Sequence, residues 1–136
     1  MGKKKPLLKT VPFEFVIDAL AKADPRTRAM FGCTAVYLGD RITFILRDRA
    51  DSVADNGVWF ATTGEHHESL RRDFPTLRSI RVFQESPDQE TGWQVLPADA
   101  DGFEADALKA CRLALRGDLR IGKVPARRAA RRRKKK

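Results

Sequence analysis

Cysteine, histidine and long apolar runs are all scarce here, and each scarcity excludes something. Two cysteines, Cys33 and Cys111, stand 78 positions apart. They are too few for a disulfide framework, and in a reducing compartment such residues serve as small buried apolar side chains. The two histidines are adjacent, in Glu65-His66-His67-Glu68. Neighbours on a helix point about 100° apart, so both cannot easily grip one ion. A zinc site would need His66 or His67, Cys33, Cys111 and a fourth ligand from separate elements. No Ser-His-Asp spacing or carboxylate pair separates itself from surface charge. No apolar run approaches the roughly 20 residues that span a bilayer. Met1-Gly2-Lys3-Lys4-Lys5-Pro6 starts charged but lacks an apolar stretch of signal-peptide length. These absences predict a cytoplasmic, non-enzymatic chain with no cofactor and no membrane partner.

What the chain has is charge, unevenly placed. It carries 27 Lys and Arg against 18 Asp and Glu, net +9 over 136 residues. Residues 1–9 hold 4 lysines and no acid, and residues 126–136 hold 8 basic residues and no acid. With those set aside, residues 10–125 keep 15 basic and all 18 acidic residues, net −3. The pattern predicts a disordered basic tail over 1–9, one domain over 10–125 and a disordered basic tail over 126–136. Arg127, Arg128, Arg131, Arg132, Arg133, Lys134, Lys135 and Lys136 cannot fold alone, because like charges repel. They attract any polyanion, and the release of condensed counterions makes such binding steeply salt-dependent with little sequence preference. They are the expected nucleic-acid-binding residues. The competing uses are a solubility tail or a clamp on the acidic stretch 85–106.

The 42% hydrophobic content supports one packed core in the middle. Pro12, then Phe13, Val16, Ile17 and Leu20, form one apolar stripe that predicts a helix over 12–23, stopped by Asp24-Pro25. Residues 28–38 read as one strand apolar on both faces, Gly39-Asp40 as a hairpin turn, and 41–47 as the returning strand. Residues 48–56 read as a charged loop and 58–62 as a third strand. A helix over 63–74 ends at Pro75. Strands at 78–83 and 93–96 follow, then a third helix ending near Gly117. The predicted class is α+β: two layers, a largely antiparallel five-stranded sheet with helices, in the order α-β-β-β-α-β-β-α.

Three local patterns invite chemistry. Gly117-Asp118-Leu119-Arg120-Ile121-Gly122-Lys123-Val124 has phosphate-loop spacing, but Val124 stands where Ser or Thr must hold magnesium, and the segment leaves a helix instead of opening one. It reads as a helix exit. Trp59, Trp93, Phe31, Phe44, Phe60 and Phe83 fall on expected strands, where aromatics beside arginine can stack unpaired bases. Ordinary core packing gives the same pattern and is the expected use. Arg71, Arg72, Arg78 and Arg81 form the one basic cluster of the middle, read as a solvated face or a phosphate-contacting patch.

Arg28-Ala29-Met30-Phe31-Gly32, with Tyr37, the Gly39-Asp40 turn and Asn56-Gly57-Val58-Trp59-Phe60, resembles the TfoX/Sxy N-terminal domain family over roughly residues 13–116. The chain departs from that pattern in an enlarged loop at 48–55, in Ala61 or Thr62 where a basic residue is common, and in carrying a basic tail where longer members have a helical domain. The resemblance implies a regulatory or interaction module of the kind associated with natural competence, acting alongside the cyclic-AMP receptor protein. It carries over no catalytic residue. It also implies a fold similar to secretion chaperones, which pair as homodimers through the sheet or a helix. The alternative function is therefore a chaperone-like protein-interaction or dimerisation module with no relevant nucleic-acid binding. Under the resemblance Gly32 permits close backbone approach or a bulge, and Phe31 anchors the core, where Phe31→Ala would cost about 3–5 kcal/mol.

Overall fold

The computed structural model describes residues 11–86 and 90–124. The expected tails, and with them the basic residues from Arg127 to Lys136, lie outside the described residues.

The apolar alternation of 33–47 closes on itself at Gly39-Asp40, giving β2 (Cys33–Leu38) and β3 (Arg41–Arg47). The register shifts between Val36 and Tyr37, leaving Thr43 as the extra residue of a bulge. The Thr43 hydroxyl donates to the Val36 carbonyl at 2.9 Å, which offsets its burial.

The single strand expected over 28–38 is two strands. β1 (Arg26–Met30) pairs antiparallel with β2, Met30 opposite Cys33. Phe31 and Gly32 between them both have positive φ, 57° and 73°, the geometry of a two-residue primed hairpin turn. Such turns usually advertise themselves as Asn-Gly, and here the first position is phenylalanine. An L-residue with a bulky side chain in the left-handed region costs about 1–2 kcal/mol. The sheet therefore has six strands instead of five.

β4 (Gly57–Phe60) pairs with β3 and with β6 (Gln94–Pro97), and β5 (Arg78–Ser79) completes the far edge. The order is β1-β2-β3-β4-β6-β5, antiparallel throughout. β5 is much shorter than the expected 78–83. The buried carboxylate of Asp55 explains why: its Oδ2 accepts from the backbone N–H groups of Arg81 (2.8 Å) and Val82 (2.9 Å), so these donors leave the ladder.

Helices α1 (Glu14–Ala19), α2 (His67–Asp73) and α3 (Phe103–Leu115) bring their apolar residues to one side of the sheet. Val16, Leu20, Leu70, Phe74, Ala107, Ala110 and Cys111 pack there against Val36, Phe44, Leu46, Val58, Phe60 and Leu96. Each large side chain fully buried in this layer contributes about 1.5–3 kcal/mol. α1 begins later than expected because Phe13 has φ 55° and lies outside the helix, its ring edge-to-face with Phe103 at 5.2 Å. α3 ends in a glycine cap. Gly117 has φ 81°, its N–H donates to the Ala114 carbonyl, and the Asp118 N–H donates to the Leu113 carbonyl. The chain then returns to the sheet, where Lys123 bridges Ile42. The near-match to a phosphate loop is thus a helix exit followed by a β-bridge.

The other side of the sheet gathers Cys33, Ala35, Tyr37, Ile45, Trp59 and Val95 in a second apolar cluster. Among the described residues no helical one belongs to it. Its cover comes from Ile80, Val82 and Trp93, on the irregular chain between β5 and β6.

Candidate aromatic–arginine face

On that helix-free side, aromatic rings run in contact from the interior to the surface. Trp93 and Trp59 lie 5.9 Å apart, Trp59 meets Phe83 edge-to-face at 5.9 Å, and Phe83 meets Phe31 edge-to-face at 5.1 Å. Trp59 is buried and its Nε1 donates to the Asp55 carbonyl at 2.8 Å. The series ends in water: Phe83 is 43% exposed and Phe31 55%. The expectation that Phe31 anchors the core is therefore overturned. It sits in the β1–β2 turn, its ring against Phe83 and outside both buried clusters.

Arginines border these rings. Arg28 faces Ala35 across the β1–β2 pair, on the same side as Tyr37, and its guanidinium lies 6.0 Å over the Tyr37 ring. None of the ion pairs among the described residues involves Arg28. Arg49 donates from Nη1 to the Gly32 carbonyl (3.2 Å) and from Nε to Asp51 (3.0 Å). A Cβ on Gly32 would collide with that guanidinium, so the close neighbour at this glycine is a side chain and not the backbone that the resemblance implies. The hydrogen bond from Arg49 holds the Asp51 carboxyl below its ordinary range.

The loop over 48–56 is built by two buried polar residues. Arg47 donates to the Ser52 carbonyl (3.0 Å) and Asn56 Oδ1 (2.8 Å). Asp55, besides its two backbone donors, takes a hydrogen bond from Arg78 at 3.3 Å. Neither Asp55 nor Arg49 stood out in the sequence. The one local signal is Asp55-Asn56-Gly57, a turn with a carboxylate placed just before a strand.

The basic cluster read from the sequence is dispersed. Arg71 reaches Glu90 (2.9 Å) and Gln94 (2.6 Å), Arg72 reaches Glu68 (3.6 Å), and Arg78 is drawn to Asp55. The histidines part as well. His67 is buried with Nδ1 3.1 Å from Glu90, whereas His66 is partly exposed beside Glu65 at 3.4 Å. His67, Arg71, Glu90 and Thr91 line an open groove of about 710 Å³. Among the described residues the buried His67 Nε2 and Thr62 Oγ1 have no hydrogen-bond partner. Among the described residues no three His, Cys, Asp or Glu side chains converge as a metal site would require. Cys33 and Cys111 are both free and belong to the two different apolar clusters. Burial raises both thiols, Cys111 to about 12, so neither is an activated nucleophile. No described helix is long and apolar enough to cross a membrane.

Comparison with protein-family models, with curated proteins and with solved structures finds no match to this chain.

Proposed function

We propose that this chain is a cytoplasmic, non-enzymatic module of the TfoX/Sxy N-terminal kind whose basic ends contact nucleic acid with little sequence preference. The carrying observation is the partition of charge: 12 of 27 basic residues lie in 1–9 and 126–136 with no acid among them, while 10–125 is net −3. The pairing within the fold supports it. Arg47, Arg71, Arg78 and Arg120 are each engaged by a carboxylate, so these cations answer the protein's own acids. The terminal cations, with no acid beside them in sequence, then provide the attraction to phosphate. The test replaces the eight basic residues from Arg127 to Lys136 by serine in the full chain and measures duplex DNA binding at moderate salt. Loss of binding supports the proposal, and undiminished binding overturns it.

One observation favours a second reading, a module that pairs with another protein or with its own copy. β1 lies at the sheet edge with its residues largely exposed, a template for strand addition. Self-pairing centred on Arg28 would set like charges opposite each other, which disfavours a second copy. Light scattering reads the mass of the chain in solution, and a dimer at twice 15.3 kDa would favour this reading.

A further inference from the structure

We infer that Phe31 and Phe83 form a stacking platform for unpaired bases, so that the nucleic acid this chain prefers is single-stranded. The inference rests on the nucleic-acid reading above and adds to it a site and a ligand class.

Four observations converge. First, the two large rings are exposed next to each other on the side of the sheet that no described helix covers. In an edge-to-face pair the ring that offers its edge keeps both of its own faces clear of its partner. Second, Phe31 sits at positive φ in a turn where glycine or asparagine would be less strained, and its ring belongs to neither apolar cluster. Third, the platform is backed by fixed groups. Phe83 rests on Trp59, Trp59 is held by the Asp55 carbonyl, and the Asp55 carboxylate holds the backbone at Arg81 and Val82. A site ordered in advance loses little entropy on binding. Fourth, a cation stands near for a phosphate chain: exposed Arg28 forms no ion pair among the described residues, while Arg49, itself paired with Asp51, reaches the platform's turn at the Gly32 carbonyl. A duplex buries its base faces in its own stack, so only an unpaired strand can use the rings.

The test uses the full chain with two probes of equal length, a labelled oligothymidylate and a labelled DNA duplex. The wild type is expected to bind the single strand more tightly than the duplex at matched salt. Phe31→Ala and Phe83→Ala are each expected to weaken single-strand binding about tenfold and to leave duplex binding unchanged. A Phe31→Trp variant is expected to retain binding, with its added emission quenched by the oligothymidylate. Should Phe83→Ala fail to fold, Phe31→Ala and the quenching measurement decide the matter. If both alanine variants bind the single strand like the wild type, the platform is wrong while the polyanion reading stands. If the wild type binds neither probe, the polyanion reading fails. A fall in solution mass in the alanine variants, with nucleic-acid binding intact, would make the patch a self-association surface and overturn the inference.

Discussion

Phe31 and Phe44 show how one residue type carries two different energies. Phe44 is fully buried beneath the helices, edge-to-face with Phe60 at 5.6 Å, and its removal would leave a cavity that the sheet cannot close. Phe44→Ala is expected to cost about 3–5 kcal/mol. Phe31→Ala removes an exposed ring and is expected to cost less than about 1 kcal/mol. Thermal or urea unfolding of the two variants checks the contrast, and equal losses would return Phe31 to the core. Sequence pattern could not separate them, because both lie in apolar stretches of plausible strand. The difference was decided by the backbone, which reverses at Phe31-Gly32 without an Asn-Gly signal. The aromatics at 44, 59 and 60 were legible as core because they lie in strands apolar on both faces, with 59 and 60 on opposite sides of the sheet.

Between elements, buried carboxylates and arginines decide where regular structure stops. Asp55 ends β5, ties Arg78 to the 48–56 loop and so fixes the chain that covers Trp59. Removing the carboxylate leaves two backbone donors and a guanidinium without their partner. Asp55→Ala is expected to cost about 3 kcal/mol and to shift tryptophan emission to the red. An unshifted spectrum with unchanged stability would show that the cover stands without it. Strand alternation at 78–83 predicts a long strand, and nothing in that pattern reveals a carboxylate 26 residues earlier that diverts its N–H groups. Asp118 and Arg120 perform the corresponding task for the segment after α3. Arg120 joins Asp118 (2.8 Å), Asp73 (3.0 Å) and Ser69 (2.8 Å), anchoring that segment to α2. The hydrogen bond from Arg120 lowers the Asp118 carboxyl from its ordinary value, against a smaller opposing effect of burial. A folded value below the unfolded one, about 3.9, gives stability that is complete above that pH and is lost as pH falls through the folded value. Asp118→Asn should therefore be less stable than the wild type at pH 7, with the gap closing in acid below about pH 4. A gap independent of pH would show that charge is not the cause.

The whole molecule divides twice: a sheet with helices on one side and an aromatic face on the other, and a net-acidic middle with cationic ends. The first division was partly legible. Element order follows from period-2 and helical patterns, and it emerges correct apart from the added edge strand β1. Which side of the sheet would lack helices was not legible, since both faces of β2 and β3 are apolar and pattern assigns no helix to either. The second division is a matter of counting, and it supports the function proposed. Its most direct test is the slope of log affinity against log salt for duplex DNA, measured on the full chain and on the variant with serine at the eight basic positions of 126–136. If all eight pair with phosphate, the wild-type slope includes a contribution of roughly −7 that vanishes in the variant. A variant that keeps the wild-type slope would place the attraction to duplex phosphate in the folded middle and contradict its assignment to the cationic ends.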